Sequence, residues 1–138
     1  MLARILLIED NPGDARLLQE YLPRNLPFEL DITVCDRLAR AISVLDRAQP
    51  FDLILTDLFL PDSMGFATFE RVQEKSRDTP IVILSGWEDQ EQVDKAMQFG
   101  ARDYVNKGNL EPLKLVKRLR EVMKNAPSQA PAARDEGY

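Results

Sequence analysis

Short apolar runs alternate with helix-period segments five times along this chain, and that rhythm constrains the fold more than any other feature. Ile5-Leu-Leu-Ile8 and Ile81-Val-Ile-Leu84 are continuous, rich in branched residues and free of polar alternation. Such runs read as strands covered on both faces. Strands are expected at Arg4–Glu9, Leu30–Val34, Phe51–Thr56, Pro80–Ser85 and Asp103–Val105, the second an edge because it alternates. Asp10–Asp14 and Leu58–Met64 read as loops on their turn chemistry. Between the strands, apolar residues recur at helical spacing. One helix runs from about Asp14 to Tyr21 and is stopped by Pro23. A second is capped by Asp36 and turns Leu38, Ala41, Ile42 and Leu45 inward. A third spans Gly65 to about Glu74. A fourth carries Val93, Ala96, Met97 and Phe99 before Gly100 ends it. A fifth is capped by Asn109, with Leu113, Val116, Leu119 and Met123 inward. Strands alternating with helices predict a doubly wound α/β fold, a five-stranded parallel sheet with five helices on its two faces.

Composition narrows the function. The chain has 138 residues, enough for one core. It carries 23 acidic against 18 basic residues, so its net charge is -5. An acidic domain has no electrostatic footprint for a phosphate backbone, and no nucleic acid is expected as its partner. No apolar run is long enough to span a membrane, and no signal peptide is visible at Met1–Arg4. The single cysteine, Cys35, cannot form an internal disulfide, which suits a reducing, cytoplasmic setting. There are no histidines. That excludes a Ser-His-Asp triad, a Cys-His pair and a His-ligated zinc, and leaves carboxylates, hydroxyls, lysines and an oxygen-bound metal. After Lys124 the composition turns to Pro, Ala and Ser, so residues 1–124 read as the folded domain and 125–138 as a flexible tail or linker. An output domain beyond that tail and a free-standing domain both stay open.

In an open parallel sheet, ligands bind beyond the carboxyl ends of the strands, near the point where strand order reverses. The first strand ends in Glu9-Asp10, the third in Asp57 and the fourth in Ser85, and the fifth runs into Lys107. Three carboxylates against one lysine raise a pKa or take up a cation. The donors are all oxygen, so the expected cofactor is Mg2+. With a phosphoryl group added, Asp57 can act as a carboxylate nucleophile while Ser85 and Lys107 stabilise the remaining oxygens.

Four segments in order carry a family resemblance: Ile5-Leu-Leu-Ile-Glu-Asp-Asn11, Asp52-Leu-Ile-Leu-Thr-Asp-Leu-Phe-Leu-Pro61, Pro80-Ile-Val-Ile-Leu-Ser85 and Gly100-Ala-Arg-Asp-Tyr-Val-Asn-Lys107. From residue 3 to about 124 the chain resembles the receiver domain of two-component response regulators. The resemblance implies a flavodoxin-like strand order 2-1-3-4-5. It implies Asp57 as phosphoacceptor, with Glu9, Asp10, Asp57 and the Phe59 carbonyl around Mg2+. Ser85 would be the switch hydroxyl, Lys107 its partner at the phosphoryl group, and Tyr104 the aromatic that follows Ser85 inward. The donor would be a phosphohistidine on a sensor histidine kinase or histidine phosphotransfer protein. The domain would assist only its own phosphorylation and dephosphorylation, and so is not expected to be an enzyme in the usual sense.

The chain departs from the family pattern in two places, after the lysine and after the switch hydroxyl. Gly108 follows the lysine where proline in a cis peptide is usual. A cis X–Gly bond is costly, so a trans and differently shaped loop is expected. Gly86 and Trp87 follow the switch hydroxyl where alanine is common, and Trp87 with Phe59 predicts slow loss of phosphate.

Blander roles exist for each residue. Asp57 can be a turn residue, Glu9 and Asp10 carboxylates at a helix start, Ser85 a cap, Lys107 a solvated side chain and Tyr104 plain core. The fourth helix is acidic (Glu88, Asp89, Glu91, Asp94) and the fifth basic (Lys114, Lys117, Arg118, Arg120), a pattern that suggests a homodimer or an ordinary solvated surface. A receiver-like module that binds protein without phosphorylation is the alternative function. A Mg2+-dependent phosphohydrolase ranks last, because the position of its second aspartate is Phe59.

Overall fold

The computed structural model describes residues 2–48, 50–76, 78–86, 89–109 and 111–124. In chain order the elements are β1 (Leu2–Ile8), α1 (Pro12–Asn25), β2 (Glu29–Cys35), α2 (Leu38–Arg47), β3 (Leu53–Asp57), β4 (Phe59–Leu60), β5 (Ser63–Met64), α3 (Phe66–Ser76), β6 (Ile81–Ser85), α4 (Gln90–Gln98), β7 (Asp103–Asn106) and α5 (Pro112–Met123), with a 3-10 turn at Lys107–Asn109. Five strands form one parallel sheet in the order β2-β1-β3-β6-β7. With the small β4–β5 hairpin set aside, this is the expected order 2-1-3-4-5.

The sheet divides the core by strand alternation. Leu6, Ile8, Ile54 and Ile83 pack with Leu45, Phe69 and Val93 of α2, α3 and α4. Ile5, Leu7, Leu55 and Val82 pack with Leu18 of α1 and Leu119 of α5 on the opposite face. Every residue of β3 and β6 is buried, which is why these strands read as unbroken apolar runs. β2 is the edge its alternation predicts, with buried and exposed positions mixed.

Several local expectations are corrected. Pro23 does not stop α1; the helix continues to Asn25, and the Leu26 N–H closes on the Leu22 carbonyl at 3.0 Å. The proline removes the N–H that Gln19 would have bonded, and Gln19 is exposed, so water can replace it. Asp36 does not cap α2. The N-cap position is Arg37, without a side-chain cap, and Asp36 pairs with Arg37 and Arg40. The caps come from Asp62, whose carboxylate accepts from Leu38 N at 2.8 Å and Ala39 N at 2.9 Å. The stretch 58–64 is not plain loop: β4 and β5 pair antiparallel across Pro61-Asp62. Gly65 leads from this hairpin into α3 at φ 72, a left-handed conformation suited to glycine. α5 starts at Pro112 with Glu111 at the N-cap position, so Asn109 is not its cap. Leu113 is exposed, and the inward face of α5 is Leu115, Val116, Leu119 and Met123. Trp87, Glu88 and the expected tail, 125–138, lie outside the described residues.

Candidate functional site at the carboxyl end of the sheet

Register assembles the site. Ile8 pairs with Thr56, so the next residues, Glu9 and Asp57, leave the sheet side by side. Asp57 pairs with Leu84 and Ser85 with Asn106, which brings Lys107 to the same end. Strand order reverses between β1 and β3, so the acids stand at the switch point where such sheets open a crevice.

Lys107 is the centre of the charge arrangement. Its Nζ donates to Glu9 Oε1 at 2.7 Å and to Asp57 Oδ2 at 2.7 Å, and lies 3.4 Å from Asp14 Oδ2. Glu9 and Asp57 are buried, at 2% and 6% exposure. Burial would lower the Lys107 pKa, but hydrogen bonds to Asp57 and Glu9 and their charges outweigh it, and the ammonium is held well above the usual lysine range. For Glu9 burial wins. It pushes the carboxyl up despite the bonds from Lys107 and the Asn11 N–H, and the charge of Asp57 pushes it further. A buried acid pair thus shares one lysine, with charge left over.

The remaining bonds fix the carboxylates. Asp57 Oδ1 accepts from Phe59 N at 2.9 Å, and Glu9 Oε2 accepts from Asn11 N at 3.1 Å. Asn11 is the N-cap of α1, its Oδ1 accepting from Asp14 N at 3.0 Å. Carboxylate oxygens of Glu9, Asp10 and Asp57 all lie within 4.8 Å of one another. Two of these acids are buried and Asp10 is exposed, so the cluster is open on one side. An all-oxygen donor set with excess negative charge fits a hard divalent cation.

Ser85 stands beside this cluster rather than in it. It is buried, and its hydroxyl donates to the Val105 carbonyl at 3.3 Å. Tyr104 is half-buried against the core, with the Arg118 guanidinium 6.0 Å from its ring centroid and Arg118 Nη1 donating to its carbonyl at 2.9 Å. Gly108 leaves Lys107 within reach of the acids. The turn is held by the Gly108 N–H donating to Asn106 Oδ1 at 2.8 Å. The lysine is therefore placed by a side-chain-capped turn, without a prolyl ring.

Three contributors escape a reading by strand ends. Asp14 reaches Lys107 from the first turn of α1; its signal is an acid at a helix start just past the Glu9-Asp10 pair. Asp89 Oδ2 accepts from Gly86 N at 2.6 Å and holds the segment after Ser85. Asp62, in the turn between β4 and β5, caps α2.

A doubly wound sheet with three acids and a lysine at its switch point is the architecture of a receiver. Comparison with known proteins agrees: the family described as response regulator receiver domain matches residues 5–120. The chain belongs to that family, the receiver domains of two-component response regulators. It is 35% identical to the regulatory protein LuxO of Vibrio cholerae over 124 residues, covering 90% of this chain and 25% of LuxO. It is 31% identical to the response regulator PilR of Pseudomonas aeruginosa, covering 89% of this chain and 26% of PilR. The chain thus spans about a quarter of these relatives. A solved signal receiver domain of a putative Luxo repressor protein from Vibrio parahaemolyticus superposes with a TM-score of 0.79 at 24% identity, covering 100% of both chains. A CheY-like receiver from Methanospirillum hungatei superposes at 0.78 and 20% identity, covering 94% of this chain and 99% of that one. These two structures share the fold. No described helix is long and apolar enough to cross a membrane.

Proposed function

We propose that the domain is a phospho-switch in which Asp57 accepts a phosphoryl group from a phosphohistidine on a sensor histidine kinase or histidine phosphotransfer protein. The carrying observation is Asp57 itself, buried at the switch point and sharing Lys107 with Glu9 at 2.7 Å each. An Asp57 oxygen forms the new O–P bond. The donor P–N bond breaks with the other ring nitrogen of the phosphohistidine protonated, so the electron pair returns to an imidazole that leaves neutral. Lys107 turns from the carboxylates to the phosphoryl oxygens, and Ser85 gives up the Val105 carbonyl to bond another. Tyr104 follows into the space beside Ser85. Glu9, Asp10, Asp57 and the Phe59 carbonyl would hold Mg2+, which when bound neutralises charge on the transferring group.

In this reading the domain catalyses only its own phosphorylation and dephosphorylation, in the cytoplasm. Phe59 and Trp87 slow the loss of phosphate by restricting water. Residues 1–124 are the switch and 125–138 a tail or linker toward any output domain. The acidic α4 and basic α5 supply the surface for a homodimer. A module that works without phosphorylation is not favoured, because the acids and the lysine stand together.

The test is phosphate incorporation from acetyl phosphate with Mg2+, read by intact mass, for the wild type and Asp57→Asn. A Mg2+-dependent adduct of one phosphoryl group, absent in Asp57→Asn, supports the reading. No adduct on the wild type, or the same adduct on Asp57→Asn, refutes it.

A further inference from the structure

We infer that Asp14 is a specificity residue at the mouth of the site, one that disfavours highly charged phosphodonors; this rests on the phosphoacceptor role of Asp57. Asp14 Oδ2 is 3.4 Å from Lys107 Nζ, and the same ammonium is 2.7 Å from Asp57 Oδ2. Asp14 and Asp57 are therefore separated by a single lysine headgroup. Their surroundings differ. The Asp57 side chain is 9% exposed and that of Asp14 is 42% exposed, so Asp14 faces the solvent from which a donor arrives. Its backbone is held by Asn11, whose Oδ1 accepts from Asp14 N at 3.0 Å, so the charge stays at the rim.

Asp14 also stands apart from the three acids whose oxygens converge within 4.8 Å. A divalent cation bound there would offset two of the three charges of Glu9, Asp10 and Asp57, and Lys107 would be shared between the third and Asp14. When Lys107 turns to the phosphoryl oxygens, Asp14 loses that compensation too. An uncompensated carboxylate one headgroup from the phosphorus repels a dianionic donor more than a monoanionic one. At a solvent-exposed rim the added unit of charge changes the rate about threefold, and salt screens the effect.

Two small donors separate this from a general loss of activity. Acetyl phosphate is a dianion near neutral pH. Its P–O bond breaks as the Asp57 O–P bond forms, and acetate leaves with the electron pair. Phosphoramidate is a monoanion with a protonated nitrogen. Its P–N bond breaks and ammonia leaves with the pair. The measurement is kcat/KM for both donors in saturating Mg2+, on the wild type, Asp14→Asn and Asp14→Glu, by intact mass. The expected result is an acetyl phosphate to phosphoramidate ratio about threefold higher in Asp14→Asn at low salt, near wild type in Asp14→Glu, and converging for all three at about 0.5 M salt. The wild-type ratio should itself rise with salt, a readout that needs no variant. An unchanged ratio in Asp14→Asn with both donors active overturns the inference and spares the phosphoacceptor role. A wild type that takes phosphate from neither donor overturns both.

Discussion

Replacing Asp62 with alanine should destabilise the domain through a helix that lies 23 residues away in sequence at its nearer bond. The Asp62 carboxylate accepts from Leu38 N and Ala39 N, two of the first-turn N–H groups of α2 that have no partner within the helix. The side chain is exposed, so its removal opens no cavity; the cost is the cap and the attraction of a carboxylate to the helix N-terminus. Those contribute about 1 and about 0.5 kcal/mol. The expected loss is about 1.5 kcal/mol, or about 5 °C in Tm for a domain of this size. Asp62→Asn keeps one of the two acceptor oxygens and turns its amide NH2 toward the other N–H, so it should lose more than half of that. Asp36→Ala, at the position expected to cap α2, should cost little. The charge adds a pH signature. Slight desolvation would raise the Asp62 pKa, but the bonds from Ala39 and Leu38 outweigh it, and the carboxyl is held below its usual value. A depressed folded pKa gives stability above the unfolded value that is lost as pH falls through the folded one. The gap between wild type and Asp62→Ala should therefore hold at neutral pH and shrink below about pH 4. Urea unfolding followed by far-UV circular dichroism, across pH, measures both. A loss under 0.3 kcal/mol at pH 7, or a larger loss in Asp36→Ala, would refute the capping geometry.

Three further outcomes follow from other contacts. Lys107→Met leaves Glu9 and Asp57 buried without their cation and should cost about 3 kcal/mol in chelator, with a larger Tm gain on adding Mg2+ than the wild type shows; calorimetry with and without the ion checks this. Gly100→Ala forces a side chain onto φ 122 with its Cβ 2.6 Å from Gln73 Nε2, and should cost about 1–2 kcal/mol by urea titration. Ser85→Ala removes a 3.3 Å bond, so stability should change by less than about 1 kcal/mol while Asp57 still takes up phosphate, seen by thermal melting and intact mass.

What the sequence disclosed divides by distance. Ile5–Ile8 and Ile81–Leu84 announce buried parallel strands by themselves, and the rule for such sheets sends Glu9, Asp57, Ser85 and Lys107 to one end. Contacts that cross the fold leave no such mark. Asp62 sits in a Pro-Asp turn and gives no sign that it caps α2. Asp36, adjacent to α2, looks the better cap because it is near. Pro23 is a helix breaker by local chemistry, yet the helix continues where the unpaired carbonyl belongs to an exposed residue. Leu113 stands at helical spacing before Val116 and Leu119, but only one side of α5 meets the sheet. Asp14 reads as turn chemistry until Lys107 arrives beside it from the far end of the chain.

Stiffness is unequal on the two sides of Asp57. The chain that follows it is tied down repeatedly: Phe59 N to the Asp57 carboxylate, Gly65 N and Thr68 Oγ1 to the Leu58 carbonyl at 2.8 Å each, Ser63 Oγ to Thr68 Oγ1 at 2.8 Å, and Asp62 to α2. On the other side, the Ser85 hydroxyl makes one 3.3 Å bond and Asp89 holds the Gly86 N–H at 2.6 Å. We expect the Ser85 hydroxyl to change partner more readily than the hairpin does, while the backbone of β6 stays locked between β3 and β7. The hairpin side of Asp57 is a fixed jaw, and what is free to yield on the other side is a hydroxyl rather than a strand.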